Sequence, residues 1–168
     1  MSKTAIFYSF HTNKTSKVSE KIIEVFGKDN LDILNAEEVN EESFLKYDNY
    51  VIGVATWWDG ELPNYWDEFV PAIDDMDLSG KKFAIYGLGD QKGYPENFND
   101  GVGIFADLIE SKGGKLVGFT SKEGYEYEAS RAERGDQLCG LCIDQENQPR
   151  LTKGRVEKWV EQLQKEFK

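Results

Sequence analysis

The chain is short of the residues on which several kinds of chemistry depend. It has a single histidine, His11, so a zinc site or a Ser-His-Asp triad has little to be built from. Its two cysteines, Cys139 and Cys142, cannot make a disulfide framework, and a reducing, cytoplasmic setting is the expectation. No apolar run approaches the ~20 residues of a membrane helix, and Met1-Ser2-Lys3-Thr4-Ala5-Ile6 passes straight into a strand-like run, so no membrane span is expected and export is disfavoured. Cations are in deficit. Against 31 Asp and Glu there are 20 Lys and Arg, and the net charge of -11 repels nucleic acid and acidic membranes while attracting a basic partner.

What is present suits one folded domain over residues 1–168, with 39% hydrophobic and 13% aromatic residues. Ala5-Ile6-Phe7-Tyr8 reads as a buried strand, and Val18, Ile22, Val25 and Phe26 then fall at helical spacing. Leu31-Asp32-Ile33-Leu34 is a second strand, Asn40 caps a turn over Phe44 and Leu45, and the run from Tyr50 to Ala55 is a third strand. Trp66, Phe69, Val70 and Ile73 have helical spacing that Pro71 should end or kink. A fourth strand lies at Phe83-Ala84-Ile85-Tyr86, a helix at Val102, Phe105, Leu108 and Ile109, and a fifth strand at Leu116-Val117-Gly118-Phe119 after the Gly113-Gly114 break. Residues 120–137, with Tyr125 and Tyr127, are polar and aperiodic and read as an insertion, after which Leu138 to Ile143 resumes as strand. Val156, Trp159, Val160, Leu163 and Phe167 trace the buried stripe of a last helix. The class is α/β, a doubly wound parallel sheet of five strands with an insertion in the last one.

Ligands of such sheets bind beyond the carboxyl ends of the strands. Three loops should meet there. Ser9-Phe10-His11-Thr12-Asn13-Lys14-Thr15 places hydroxyl and amide side chains at the start of a helix, which suits either a phosphate cradle or an ordinary capped helix. Thr56-Trp57-Trp58-Asp59-Gly60-Glu61 brings two tryptophans into a polar loop, and Gly87-Leu88-Gly89-Asp90-Gln91-Lys92-Gly93-Tyr94 adds glycines, a carboxylate and a third ring. A planar heterocycle between Trp57 and Tyr94 would account for this placement, and an aromatic patch for a protein partner is the alternative.

With these motifs the chain resembles the long-chain flavodoxins from Lys3 to Phe167, through Thr12-Asn13-Lys14-Thr15, Thr56-Trp57, the run from Gly89 to Tyr94 with Asn97 and Asn99, the insertion, and Asp144-Gln145-Glu146-Asn147-Gln148. The resemblance implies strand order 2-1-3-4-5 and non-covalent flavin mononucleotide (FMN). Its phosphate would lie on Ser9, Phe10, His11, Thr12, Asn13, Lys14 and Thr15. Its ring would lie between Trp57 and Tyr94, in contact with Thr56, Trp58, Asp59, Gly60, Leu88 and Gly89. Its pyrimidine edge would lie near Asp90, Asn97 and Asn99, and its ribityl chain near Glu146. Phe10 stands where a hydroxyl residue is usual and Asn13 where glycine is usual; asparagine tolerates a left-handed backbone, and backbone N–H groups do most of the anion binding. His11 is read as a solvent-facing loop residue. The Trp58-Asp59 peptide would provide the carbonyl for flavin N5, and a bulky Trp58 should weaken that bond relative to glycine.

The implied function is a low-potential one-electron carrier, not an enzyme, that exchanges electrons with basic-surfaced partners, a reductase and acceptor enzymes, and acts as a monomer. An FMN-dependent quinone or nitro reductase is the alternative, requiring an open ring face. A phosphorylation-dependent receiver would need acidic residues where this chain has Ser9 and Thr56. Asp59, Glu61, Asp67, Glu68, Asp90, Glu96 and Asp100 are expected to ring the site with negative charge. At ~12 Å one carboxylate opposes an added electron by roughly 0.3–1.4 kcal/mol, so the second reduction step should be strongly reducing. Cys139 and Cys142 are expected on opposite faces of a strand and thus not as a redox pair, and Asp74, Asp75 and Asp77 lack a calcium-loop pattern.

Overall fold

The structure, a computed structural model, describes residues 3–57 and 60–168, so the expectations placed on Met1, Ser2, Trp58 and Asp59 lie outside the described residues. The apolar runs form β1 (Thr4–Tyr8), β2 (Asp32–Asn35), β3 (Asn49–Gly53), β4 (Lys82–Leu88) and β5 (Lys115–Val117), paired in parallel in the order β2-β1-β3-β4-β5. Because side chains alternate along a strand, each run serves two cores. Phe7, Tyr50, Ile52, Phe83 and Ile85 point into one, and Ile6, Tyr8, Val51, Ala84 and Tyr86 into the other. The first core is covered by α2 (Glu41–Leu45), α3 (Asn64–Asp67), α4 (Val70–Asp74) and α5 (Asp100–Ser111), through Phe44, Trp66, Ile73, Val102, Phe105 and Ile109. The second is covered by α1 (Lys14–Phe26) and α6 (Thr152–Glu166), through Val18, Ile22, Phe26, Val156, Trp159, Val160 and Leu163.

Local chemistry sets the helix ends. Asn40 caps α2, its side chain accepting from Ser43 N at 2.9 Å while Ser43 Oγ accepts from Asn40 N at 3.1 Å. Pro71 does not close a long helix; it lies in the first turn of α4, where its missing N–H costs nothing, so the expected element becomes two short helices, α3 and α4. Val25 departs from its expected place in the α1 stripe: it is 41% exposed, and Thr15, Ser19 and Ile23 fill the buried face instead.

The insertion interrupts the edge strand of the sheet. β5 pairs with Lys82–Ala84 of β4, and the chain then leaves the sheet and builds a small antiparallel unit of β6 (Thr120–Ser121), β7 (Glu133–Arg134) and β8 (Gln137–Leu138). It returns as β9 (Leu141–Ile143), which pairs with Tyr86–Leu88 of the same strand. The run expected as one strand from Leu138 to Ile143 is therefore broken at a bend over Cys139 and Gly140. Gly140 lies so close to β4 that a Cβ there would collide with the Ile85 carbonyl oxygen.

That bend also corrects the reading of the cysteines. Alternation does not put Cys139 and Cys142 on opposite faces; both are free thiols in the same core. Burial pushes the Cys139 thiol up to about 11 and the Cys142 thiol well above its usual value, which suppresses the reactive thiolate.

Candidate functional site

A cleft of about 570 Å³ opens beyond the carboxyl ends of β3 and β4, lined by Thr56, Trp57, Leu88, Gly89, Asp90, Tyr94 and Asn97, and its size is ordinary for a small-molecule site. A second hollow of about 220 Å³ shares Thr56, Leu88, Gly89, Asp90 and Tyr94 with it and adds Lys14, Gln145 and Glu146. Together they form one trough, with aromatic rings at one end and the first turn of α1 at the other. The Lys14 ammonium and the Glu146 carboxylate form an ion pair at that second end.

The β1–α1 loop folds around one carbonyl. Ser9 O accepts from Thr12 Oγ1 at 3.0 Å, Ser16 Oγ at 3.2 Å and Thr12 N at 3.5 Å. This turns the Thr and Ser side chains back on the loop, and no side chain caps the N-terminus of α1. The first N–H groups of a helix have no partner within it, so this end is suited to an anion. Asn13 has φ -82 and ψ -62, an ordinary right-handed helical conformation, so the left-handed tolerance expected of it is not used. Phe10 is 46% exposed, with its ring 5.0 Å from that of Tyr8, and its N–H donates to Asn35 Oδ1 at 3.3 Å. His11 is exposed as expected and pairs through Nδ1 with Glu37; that contact raises its pKa.

At the aromatic end, Trp57 is fixed by two backbone hydrogen bonds with Glu61, at 2.8 and 2.7 Å, and by an edge contact with the Tyr65 ring at 6.0 Å. Gly60 closes this loop with φ +92, and a Cβ there would lie 2.5 Å from Asp100 Oδ2, so both conformation and space call for glycine. Thr56 Oγ1 accepts from Gly101 N at 2.9 Å, joining the loop to the start of α5. Tyr94 is 61% exposed and is presented by a tight turn: Tyr94 N donates to Asp90 O at 2.9 Å, and Asp90 Oδ1 accepts from Gly93 N at 2.8 Å and Lys92 N at 3.1 Å. These bonds, together with one from the Asn147 amide, hold the Asp90 carboxyl below the usual carboxylate range. The Asp90 carboxylate is thus occupied in shaping its own loop and in holding the Asn147 amide.

Two expected residues lie elsewhere. Asn99 is fully buried, with φ 52, and its amide sits behind Gly87 and Gly89 with neither Nδ2 nor Oδ1 hydrogen bonded. It backs the floor of the cleft and does not line it. Asp100 is also buried, accepting from Asn97 Nδ2 at 3.0 Å and Arg131 N at 2.8 Å, so it does not belong to the exposed acidic rim, whereas Glu61, Asp67, Glu68 and Glu96 are exposed. Gln145, which belongs to the Asp144-to-Gln148 motif but was not among the residues expected in the site, lines the trough, and the Asp144-to-Asn147 spacing of a tight side-chain-bonded turn was the available signal for this loop.

With this geometry in place, known proteins provide the comparison. The flavodoxin family model matches residues 6–159. The chain is 40% identical over 168 residues to a flavodoxin from Picosynechococcus, covering 99% of each, and 38% identical over 168 residues to flavodoxin 1 of Escherichia coli, covering 99% of this chain and 96% of that one. Its fold superposes with a TM-score of 0.94 on the flavodoxin of Fusobacterium nucleatum bound to flavin mononucleotide, at 32% identity and with 100% of both chains covered. A trough at the switch point of a 2-1-3-4-5 sheet, rings at one end and free helix donors at the other, matched by relatives along the whole chain, makes this protein a member of the flavodoxin family.

Proposed function

We propose that the trough holds FMN with its ring at Trp57 and Tyr94 and its phosphate at the first turn of α1, and that the protein is a one-electron carrier and not an enzyme. The observation that carries this placement is the continuity of the trough from the aromatic end to the uncapped helix N-terminus. The residues present fit that group: N–H donors with no side-chain cap for the phosphate, flat side chains for the ring, and backbone and amide groups of Gly89, Asp90 and Asn97 for its polar edge. FMN, when bound, provides the capacity to take up and release electrons one at a time. Glu146 and Lys14, paired at the α1 end of the trough, would meet the ribityl chain as it nears the phosphate.

The chain's own residues tune that capacity. Glu61 and Glu96, next in sequence to the cleft loops, and Asp67 and Glu68 beyond them are exposed, and their charges would disfavour added negative charge at the aromatic end. The same carboxylates would steer basic-surfaced redox partners, a reductase and acceptors, with exchange rates that fall as salt rises. We read residues 1–168 as one FMN-binding unit that works as a monomer in the cytoplasm. Among the described residues no helix is long and apolar enough to cross a membrane.

The test is an anaerobic redox titration of the purified protein followed by visible absorption. The expected result is a yellow protein that titrates in two one-electron steps, the second well below the first. A colourless chain that takes up no added FMN overturns the reading, and a single two-electron wave near the free-flavin potential favours the reductase.

A further inference from the structure

Behind the aromatic end lies a buried carboxylate to which the reading above gives no role. Asp144, directly after β9, is 0% exposed, and its two oxygens accept four hydrogen bonds. Oδ2 takes Gln91 N at 3.1 Å, Gln91 Nε2 at 2.7 Å and Asn147 Nδ2 at 2.9 Å, and Oδ1 takes Asn147 N at 2.9 Å. The Asn147 amide also donates to Asp90 Oδ1 at 2.8 Å, so one NH2 group bridges two carboxylates. Gln91 turns its own Oε1 to Glu126 N in the insertion. Asp144 thus joins the turn that presents Tyr94 to the loop that carries Glu146, and through the Gln91 side chain the inserted unit is tied to the same turn.

A buried charge is retained only where its surroundings meet it with donors, and here every donor comes from a loop and none from the sheet ladder. Among the described residues, the hydrogen bonds of the Asp90–Tyr94 turn run within the turn and to Asn97, Asp144, Asn147 and Glu126, and none runs to the β1–α1 loop at the far end of the trough. We propose that Asp144 is a positioning residue for the flavin ring: its carboxylate fixes the Asp90–Tyr94 turn to the Glu146 loop and so sets where the Tyr94 ring and the Asp90 backbone stand. This rests on the FMN reading above. Asn at this position keeps the shape but replaces one acceptor oxygen with a donor, which then faces N–H groups of Gln91 or Asn147.

The test compares wild type, Asp144→Asn and Thr12→Ala, each as the full chain freed of flavin and titrated with FMN and with riboflavin, with melting curves of all three. Asp144→Asn is expected to weaken both ligands by the same factor, about tenfold or more. Its bound flavin at saturation should be more fluorescent than in wild type, because a displaced Tyr94 stacks less well. Thr12→Ala should weaken FMN and spare riboflavin. Equal affinity and equal fluorescence in Asp144→Asn overturn the inference even if the melting temperature falls, since that is a structural role alone; so does a loss confined to FMN. Should wild type itself bind neither ligand, the FMN reading fails first, which separates the two failures.

Discussion

The two ends of the trough are built on opposite principles. At the aromatic end Asp90, Gln91, Asp144 and Asn147 exchange hydrogen bonds until the turn beneath Tyr94 is tied to its neighbours on two sides. At the α1 end the loop bonds to itself, through the Ser9 carbonyl, and its helix start has no side-chain cap. Stacking depends on the angle and position of flat groups, and a turn cross-tied in this way suits it. Anion binding depends on donors left free, so the scaffold there withholds its own acceptors.

The sharpest way to break this contrast is to measure both ends with two ligands that differ only in the phosphate. Trp57→Ala should cost FMN and riboflavin the same, about 1–3 kcal/mol each if its ring stacks as aromatic residues do on bases. A loss for FMN alone, measured by fluorescence titration, would mean that the ring does not sit at Trp57.

Acid should act on the aromatic end. Burial alone would push the Asp144 carboxyl up, but the donors from Asn147 and Gln91 outweigh it and hold it below the ordinary value, and Asp90 is lowered as well. A depressed carboxyl adds stability that is present above its unfolded value of ~3.9 and is lost as pH falls through the lower folded value. The melting temperature of wild type should therefore fall more steeply below pH ~4 than that of Asp144→Asn. Parallel curves would show that the loop network does not hold the charged form.

The smallest effect belongs to His11 at the open end. Its contact with Glu37 raises its pKa, so the pair adds stability below the unfolded value of ~6.5 and loses it as pH rises through the higher folded value. His11→Ala should lower the melting temperature slightly at about pH 5.5 and not at about pH 9. Because the side chain is exposed, a shift near the detection limit is expected, and a shift of equal size at both pH values would assign His11 a role unrelated to its charge.

Much of the fold was legible because the central strands β1, β3 and β4 carry short unbroken apolar runs, from Ala5-Ile6-Phe7-Tyr8 to Phe83-Ala84-Ile85-Tyr86, and α6 presents its buried stripe as its spacing predicts. The loops that form the trough were also found, since Trp57, Tyr94 and the Thr12-to-Thr15 segment stand out from their polar settings. The misses have a common cause. Periodicity says which face a residue is on only while the element continues, and it failed at Cys139, where a bend intervenes, and at Val25, near the end of α1. Residue type says what a side chain could bind but not whether the protein has already bound it, as Asp90, Asp100 and Asp144 show.

The divided edge of the sheet keeps one register on both sides of its interruption. Val117 stands opposite Ala84 and Leu141 opposite Tyr86, with Gly140 pressed against the intervening Ile85. Joining Val117 directly to Gly140 would produce an uninterrupted fifth strand in unchanged register. Residues 118–139 thus leave the sheet and return to it without shifting its register, while Glu126 N on Gln91 Oε1 and Arg131 N on Asp100 Oδ1 fasten the excursion to the loops around the cleft.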